Sequence, residues 1–360
     1  MNNDLMKKLK AASNLKHTTT LSKSTLFTHR DNITVDVPII NLAFSGHFNK
    51  GFGSGLIMFV GPSKHFKSNL GLITVKAYLK TYPDAICLYY DSEFGCTPEY
   101  IQSAGIDPDR VLHIPIMNIE ELKFDFAKQL QEIKKGDKVI IFIDSVGNLA
   151  SKKEVDDAIN EKAVADMTRA KQLKSLWRMV TPYLTIHDIP CVVINHSYSS
   201  MDLFPSQVVS GGQGGVYSSN TIFMIGKSQE KEDNEIAGYK FTLNIEKSRY
   251  VKEKAKFPFV VTYEKGVNIY SGLLDIAIET GHVVKPKVGW YTRPSVQDDK
   301  SWRAKDTNTG AFWKPIFETT DFKEVCTKKY SLGTTQLISE EEILESAVDL
   351  SNIDIDADEE

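Results

Sequence analysis

The segment GPSKHFKSN, residues 61–69, carries the strongest chemical signal in the sequence. A Walker A phosphate loop has Gly, four residues, Gly, Lys and then Ser or Thr, and it joins a strand to a helix. Gly61, Lys67 and Ser68 fit this pattern, an apolar run precedes them and a helical pattern follows. Backbone N–H groups and the helix N-terminus would then face phosphate oxygens. The segment predicts a nucleotide site with Lys67 on the β- and γ-phosphates and Ser68 on Mg²⁺.

Phe66 departs from the Walker A pattern, because it stands where the second glycine is usual. Glycine is favoured where a phosphate leaves no room for Cβ or where φ is positive. Phe66 must therefore adopt an allowed conformation with its ring turned away from the nucleotide. For this motif alone, an ordinary polar turn between strand and helix remains the alternative. The predicted ATP contacts in the loop are Gly61, Pro62, Ser63, Lys64, His65, Phe66, Lys67, Ser68 and Asn69.

Two other apolar runs end in carboxylates. In VIIFIDS, residues 139–145, Asp144 follows the hydrophobic residues in the Walker B arrangement and would hold Mg²⁺ through water. In LYYDSEFG, residues 88–95, Glu93 follows the strand and could polarise an attacking water. Asp144 could instead cap the next turn, and Glu93 could cap a helix or form a surface ion pair. Three such residues after three strands together favour nucleotide hydrolysis.

The elements that would position these residues alternate between strands and helices. The predicted strands span residues 56–60, 85–90, 139–143, 191–194 and 221–225, and the predicted helices span 68–82, 119–133 and 158–183. Strands that are apolar along their whole length are typical of a parallel sheet that is buried on both faces. Repeated strand–helix–strand order predicts a doubly wound, mostly parallel α/β fold, with ligands beyond the carboxyl ends of the strands.

The chain divides into four predicted parts. Residues 1–30 would hold an amphipathic helix over 4–14, with Asp4 as its N-cap, and a Ser/Thr-rich linker; the helix would dock on a neighbouring subunit. Residues 31–270 would form the ATPase core, and 271–338 a small C-terminal module. Residues 339–360 contain ten acidic and no basic residues, and we expect an acidic disordered tail there.

Composition excludes several classes of protein. With 41% hydrophobic and 25% charged residues in 360, the chain is neither wholly disordered nor a coiled-coil rod. It has no apolar run long enough for a membrane span and no secretory signal, and its four scattered cysteines fit a reducing cytoplasm. Without the tail, 43 basic residues face 37 acidic ones, a formal charge of +6. That balance suits a polyanion binder whose tail competes for its basic surface, although a tail that only aids solubility fits equally well.

The order of motifs resembles that of the RecA-type recombinases, and most closely their branch in T-even-type phages. The resemblance rests on GPSKHFKSN, YDSEFGCTPEY, VIIFIDSVGNL, VVINHSY and GGQGG, and on the phrases SVGNLASKKE, MTRAKQLKSLWR and KSWRAKDTN. It covers about residues 30–335. Phe66 departs from RecA but not from the phage branch. The resemblance implies a RecA-like ATPase core with an N-terminal helix and a C-terminal module that gathers duplex DNA through residues 282–305.

The resemblance also assigns roles to five residues. Glu93 would activate the attacking water, and Tyr100 would stack on adenine. His196 stands where RecA has a glutamine that senses the γ-phosphate. Lys247 and Arg249 would reach across a filament interface to the ATP of the neighbouring protomer. From the residues alone, Tyr100 could be a core aromatic, His196 a buried histidine, and the two cations part of a solvated charge run.

Two loops are expected to meet DNA, the first at 151–160 and the second at 197–217. The second is small, polar and glycine-rich, with apolar residues that could wedge between nucleotides, and without a DNA role it would be merely disordered. Such a loop can contact phosphates without reading bases. Its predicted DNA contacts are Ser197, Tyr198, Met201, Phe204, Gln207, Gly211, Gly212 and Gln213, with Leu203 and Val208 as further wedges.

The resemblance therefore implies a DNA-dependent ATPase that uses ATP and Mg²⁺, forms helical filaments on single-stranded DNA and exchanges strands with a homologous duplex. It would serve recombination, repair and recombination-dependent replication in the host cytoplasm, if phage-encoded. Its partners would be single- and double-stranded DNA, copies of itself, a phage single-strand-binding protein and a loading mediator, but no membrane. Two alternatives remain open: a hexameric RecA-fold DNA helicase, and a non-hydrolysing DNA-binding regulator gated by nucleotide.

Overall fold

The computed structural model describes residues 3–24, 32–161, 168–201, 206–232, 235–298 and 300–333. The helices are α1 (Asn3–Ala12), α2 (Pro38–Ser45), α3 (Lys67–Thr81), α4 (Pro98–Ser103), α5 (Ile119–Glu132), α6 (Lys152–Ile159), α7 (Thr168–Ile186), α8 (Gln213–Ser218), α9 (Leu273–Glu279), α10 (Gly310–Thr319) and α11 (Phe322–Tyr330). The strands are β1 (Gly55–Val60), β2 (Ile86–Asp91), β3 (Val111–Pro115), β4 (Val139–Asp144), β5 (Pro190–Asn195), β6 (Ser197–Ser199), β7 (Gln207–Val209), β8 (Thr221–Glu232), β9 (Glu235–Ser248), β10 (Lys256–Thr262), β11 (Gly266–Val267), β12 (Val284–Lys287), β13 (Trp290–Thr292) and β14 (Trp302–Arg303).

Within these ranges a nine-stranded sheet has the order β11-β10-β9-β8-β1-β5-β4-β2-β3. The strands from β8 to β3 in this order pair in parallel, and β8 to β11 pair as antiparallel neighbours. The parallel register places Val60 opposite Asn195 and Asp91 opposite Asp144. The carboxyl ends of β1, β5, β4 and β2 therefore lie along one edge, which is where the chemistry was expected.

Each face of the sheet has its own apolar core. On one face, α2 and α3 pack with the aromatic side chains of α10, and on the other, α5 and α7 pack around the buried Phe126 and Trp177. Helices on both faces of a mostly parallel sheet confirm the predicted doubly wound fold. No helix in the described ranges is long and apolar enough to cross a membrane.

The first four predicted strands are present, with each end within one residue of its predicted bound. The fifth continues to Glu232, because its polar second half pairs with β9 rather than lying in the core. The single helix predicted over 158–183 is wrong. Residues 160 and 161 form a turn after α6, and α7 begins at Thr168. Residues 162–167, between them, lie outside the described ranges.

The described residues beyond 271 share the core of the nine-stranded sheet rather than standing apart. The Phe322 ring stacks on Phe48 at 5.4 Å, and the Tyr330 ring lies 4.9 Å from that of Phe257. The segment also has a three-stranded sheet of its own, β12-β13-β14. The boundary at 271 stays a prediction, and the acidic tail at 339–360 lies outside the described residues.

Helix α1 confirms the predicted N-terminal helix, although Asp4 lies in its first turn rather than at the N-cap. The apolar side chains that define its amphipathic face, including Leu5, Met6 and Leu9, are exposed by half or more. An apolar helix face exposed in this way is consistent with the predicted docking on a neighbouring subunit, which stays a prediction.

Candidate nucleotide and DNA site

The predicted phosphate loop lies between β1 and α3, as expected. Gly61 is buried at the end of β1, and its N–H donates to the Asn195 carbonyl at 3.4 Å. From Ser63 to Asn69 the loop and the first turn of α3 line a cavity of about 550 Å³. The Lys67 side chain reaches back across the loop, and its Nζ donates to the Pro62 carbonyl at 2.7 Å. Burial lowers the pKa of Lys67, and the charges of Glu93 and Asp144 oppose this shift.

Phe66 occupies the glycine position with a left-handed backbone, at φ 61° and ψ 17°. This conformation costs a residue with a Cβ about 1 kcal/mol or more. The ring stacks on Phe241 at 5.2 Å and lies 5.9 Å from the Phe259 ring, so it packs against β9 and β10. Aromatic pairs contribute about 0.5–1.5 kcal/mol beyond their burial, enough to offset the backbone cost. The loop therefore keeps the backbone turn that a glycine would give.

Asp144, at the end of β4, suits a metal-binding role. Its side chain is 3% exposed, and its Oδ1 has no hydrogen-bond partner among the described residues. Burial raises the pKa of Asp144 to about 6, and the hydrogen bond from Ser68 opposes that rise. A buried carboxylate oxygen without a partner, beside a hydroxyl, is the oxygen donor set that Mg²⁺ prefers. The described residues contain no group of three His, Cys, Asp or Glu side chains that could hold a metal ion by themselves.

Glu93 follows β2 in a turn that the Asp91 side chain holds. Asp91 Oδ1 accepts the backbone N–H of Glu93 at 3.0 Å and that of Phe94 at 2.7 Å. The carboxylate of Glu93 has three neighbours, all at Oε1: Ser145 Oγ at 2.6 Å, Asn148 Nδ2 at 3.3 Å and His196 Nε2 at 3.2 Å. The bond from His196 is the largest cause that lowers the pKa of Glu93 to about 2, with smaller contributions from Ser145 and the charge of Lys67.

His196 lies one residue past β5, between Glu93 and the second predicted DNA segment. Its carbonyl accepts the backbone N–H of Ser210 at 3.0 Å, and the preceding Asn195 donates from Nδ2 to the Ser210 carbonyl at 2.9 Å. Gly147 leaves room for the imidazole, because a Cβ there would lie 2.1 Å from His196 Cδ2. The structure thus brings the predicted sensor against the predicted base.

Tyr100 also lines the cavity. Its hydroxyl donates to Asn69 Oδ1, and its side chain is 40% exposed. From β8, β9 and the turn after β10, Lys227, Tyr239 and Tyr263 complete the lining, with Lys227 Nζ 3.7 Å from the centroid of the Tyr239 ring. The sequence analysis missed these three residues. They belong to no motif, and only the antiparallel pairing of β8 to β10 brings them to the site.

The first predicted DNA loop, 151–160, is wrong as a loop, because Lys152–Ile159 is the helix α6. The Ser151 hydroxyl accepts the backbone N–H of Glu154 at 3.0 Å and caps it. Ser-Lys-Lys-Glu is the S-x-x-E spacing of a capping box, a signal that the sequence analysis overlooked. Val155 and Ile159 are exposed on this helix.

The second predicted DNA loop, 197–217, contains two strands and a helix among its described residues. Strands β6 and β7 pair as a hairpin, and Ser197 Oγ donates to Gln207 Oε1 at 2.6 Å. Tyr198 and Met201 are exposed on it, and Val208 is half-buried. The predicted contacts Leu203 and Phe204 lie outside the described residues.

The GGQGG segment, 211–215, packs closely on α7 instead of remaining free. A Cβ on Gly214 would lie 2.8 Å from the Lys174 backbone, and one on Gly211 would lie 2.7 Å from Leu173. These glycines let α8 approach α7 at backbone distance. Gly212 and Gln213 are exposed, so they remain available for contacts, whereas Gly211 is half-buried.

Lys247 and Arg249 do not line the cavity. Lys247 pairs with Ile222 of β8, level with the middle of β1, and the Arg249 N–H donates to the Asn220 carbonyl just before β8. Lys247 Nζ donates to the carbonyls of Val216 and Tyr217, at 2.7 and 3.0 Å, and so caps the last turn of α8. The Arg249 side chain is exposed. The structure does not bring these two cations to the protomer's own Lys67.

Comparison with known proteins shows the family of the chain. The RecA N-terminal domain family matches residues 38–268, and the family described as Bacteriophage T4, Recombination and repair protein, C-terminal domain matches residues 270–326. The chain is 49% identical over 354 residues to the Recombination and repair protein of Enterobacteria phage T4, which covers 96% of this chain and 90% of that protein. It is 23% identical over 284 residues to Protein RecA of Cytophaga hutchinsonii, an alignment that covers 76% of this chain and 77% of that protein. It is 26% identical over 250 residues to Protein RecA of Corynebacterium aurimucosum, with 67% of this chain and 63% of that protein covered. The chain therefore belongs to the RecA family of recombinases, in the branch of the phage T4 protein.

Proposed function

We propose that this protein is an ATP-dependent DNA strand-exchange recombinase, acting in recombination, repair and recombination-dependent replication. It would form filaments on single-stranded DNA and pair that strand with a homologous duplex. The observation that carries the proposal is the position of His196, which joins the ATPase carboxylate Glu93 to the base of the second DNA segment. Kinship with the phage T4 protein supports the same function and an action in the cytoplasm of an infected host.

Hydrolysis would use four side chains at the carboxyl edge of the sheet. Lys67 places its charge against the transferred phosphoryl group, and Ser68 with Asp144 would hold Mg²⁺. When bound, Mg²⁺ neutralises charge on the β- and γ-phosphate oxygens. Glu93 orients the attacking water and accepts its proton, since Oε1 is held by its neighbours and Oε2 remains for the water. Tyr100 would stack on adenine at the wall of the cavity.

His196 would couple the nucleotide to DNA. Its contact keeps the pKa of Glu93 near 2, which makes the carboxylate a weak proton acceptor. A γ-phosphate that draws His196 away would raise that pKa and move the backbone to which Ser210 is bonded. The second DNA segment would then change with the state of the nucleotide, presenting Tyr198, Met201 and Gln207 to the strand. Helix α6 would carry the first DNA contact.

Filament formation would complete the active site. Lys247 and Arg249 do not line the protomer's own cavity, and in a filament they would serve the ATP of a neighbouring copy. A head-to-tail interface of this kind generates an open helix when the rotation does not close. Cations supplied in trans stabilise phosphoryl-transfer charge, and such residues contribute about 10³–10⁵ in rate.

Mixing two inactive variants tests this shared site. Arg249→Ala and Lys67→Ala spoil opposite halves of an interface, so each alone should be nearly inactive. At equal amounts about a quarter of head-to-tail interfaces would regain both halves, and hydrolysis should exceed the sum of the separate rates. The measurement is the rate of DNA-stimulated phosphate release by the mixture and by each variant alone.

The matched control mixes Lys67→Ala with Glu93→Gln, which spoil the same half and should give no rescue. No rescue of the first pair at any ratio would mean that the site is built within one subunit.

Duplex DNA would be gathered by residues 282–305, where cations lie over aromatic rings. Lys287 Nζ is 4.9 Å from the Trp290 ring, Lys300 Nζ is 3.9 Å from the Trp302 ring, and the Arg303 guanidinium is 5.3 Å from Trp290. Exposed cations on this sheet suit phosphates. The acidic tail would compete for the same cations. A phage single-strand-binding protein and a loading mediator would be further partners.

A hexameric helicase would share the ATPase residues, so assembly must separate the two functions. Electron microscopy with ATP and single-stranded DNA should show helical filaments that follow the strand. Closed six-membered rings would instead support the helicase. A regulator without hydrolysis is disfavoured because Lys67, Glu93 and Asp144 are all present.

A further inference from the structure

Arg169, in the first turn of α7, binds backbone carbonyls that no motif pointed to. Its Nε donates to the Leu149 carbonyl, and its Nη2 donates to the carbonyls of Val146 and Gly147, each at 2.8 Å. All three acceptors belong to residues 145–149, which we call the Asp144 turn because it follows Asp144 at the end of β4. One guanidinium thus fixes nearly the whole turn.

The Asp144 turn carries two of the three groups that hold the Glu93 carboxylate. Ser145 Oγ and Asn148 Nδ2 both point to Glu93 Oε1, at 2.6 and 3.3 Å. The Ser145 side chain is fully buried, whereas Asn148 is exposed. Neither donor could keep its position if the backbone of the turn moved, because each side chain is short.

The geometry requires arginine rather than a cation of any kind. Two different nitrogens of the guanidinium serve the turn, Nε the Leu149 carbonyl and Nη2 the Val146 carbonyl, and a planar fork of donors can bind them together. Lysine offers a single ammonium point. Burial lowers the pKa of Arg169, with the charge of Glu154 in opposition, so placing the cation here has a cost. Such a cost favours a specific role over a solvated surface charge.

We propose that Arg169 is a positioning residue for ATP hydrolysis, which acts on Glu93 through the Asp144 turn. This inference rests on the proposed function. By fixing the carbonyls of the turn, Arg169 holds Ser145 and Asn148 against Glu93 Oε1, so that Oε2 faces the water. The same guanidinium reaches Ser210 Oγ at 3.5 Å, at the base of the second DNA segment.

The test compares Arg169→Lys and Arg169→Met with the wild-type chain in single-stranded-DNA-stimulated ATP hydrolysis. At saturating ATP and DNA, kcat should fall about tenfold or more in both variants, because a misplaced base loses its alignment. The ATP KM and the half-saturating DNA concentration should stay within about twofold, since no ligand contact is lost. The acid limb of the pH–rate profile should move to higher pH, since Glu93 loses donors that lower its pKa. Lys171→Met, an exposed cation of α7, is the matched control and should keep the wild-type kcat.

A second variant keeps the proposal falsifiable if the Arg169 variants do not fold. Asn148→Ala removes one exposed donor to Glu93 and leaves the Arg169 contacts intact, so it should lower kcat, but less than the Arg169 variants do, with the ATP KM unchanged. Wild-type kcat in Arg169→Met, or wild-type kcat in Asn148→Ala, would overturn the proposal. The proposal would also fail if Arg169→Lys kept the wild-type kcat while Arg169→Met bound DNA weakly. That result would make Arg169 a contact for DNA phosphates. Absence of DNA-stimulated hydrolysis in the wild-type chain would instead contradict the proposed function.

Discussion

Replacing Glu93 by glutamine is expected to leave ATP binding and filament assembly intact while hydrolysis falls about 10²–10⁴-fold, the usual contribution of a general base. The amide oxygen can still accept from Ser145, Asn148 and His196, so the shape of the site is retained. What is lost is the carboxylate oxygen that takes the proton of the water. The measurement pairs phosphate release with ATP-dependent binding to labelled single-stranded DNA.

Glu99→Gln is the control for this prediction, because it makes the same charge change on an exposed residue of α4 next to the cavity. It should hydrolyse ATP at the wild-type rate. If Glu93→Gln lost nucleotide binding as well, Glu93 would be a structural residue and the assignment of the base would be wrong.

Replacing Lys67 by alanine should abolish both hydrolysis and the ATP-dependent gain in DNA affinity. Lys67 is only 7% exposed. Its charge contributes to the lowered pKa of Glu93 and opposes the burial that raises the pKa of Asp144. Removing it takes away the side-chain cation that faces the phosphates beside two carboxylates, so the loss extends to nucleotide binding. Phosphate release and DNA binding with and without ATP measure the two effects.

Lys80→Ala, on the last turn of the same helix, provides the control. Its ion pair with Asp36 is exposed, with 65% and 60% of the two side chains accessible, so the pair contributes at most about 1 kcal/mol. Normal hydrolysis is expected there. Turnover like that of the wild type in Lys67→Ala would refute the phosphate-loop assignment.

The sequence predicted the carboxyl edge well because the signals there are local. Lys67, Ser68, Glu93 and Asp144 each follow an apolar run, and parallel strands bring such residues to one edge whatever their order. The core strands were equally clear, since each is buried on both faces. Strand β3, with its mixed and partly exposed pattern, gave no comparable signal.

The parts of the site that the sequence did not predict depend on contacts between distant parts of the chain. Nothing near Phe66 indicates that Phe241 and Phe259 would support its left-handed backbone. Tyr239 reaches the cavity only through the register of the antiparallel strands. Arg169 reads as one cation of a basic helix, and its carbonyl partners appear only once α7 is packed beside the turn after β4.

Two segments that were predicted as DNA loops form regular structure instead. The GGQGG segment lies in a predicted DNA loop, yet a Cβ on Gly214 would meet the backbone of α7 and one on Gly211 would meet Leu173, because the segment packs against α7. The prediction of a DNA loop at 151–160 is wrong because Ser151 and Glu154 have the spacing of a helix cap. In both places the residue types fit the observed structure, a close contact with α7 and a helix cap, better than they fit a loop.

Joint-molecule formation tests the central claim most directly. The protein is incubated with ATP, Mg²⁺, circular single-stranded DNA and a linear duplex, and the deproteinised products are separated on a gel. We predict joint molecules with a homologous duplex, none with a heterologous duplex of equal length, and none with Lys67→Ala. Robust DNA-stimulated hydrolysis without joint molecules, or strand separation that does not need homology, would contradict the account of this chain as a strand-exchange recombinase.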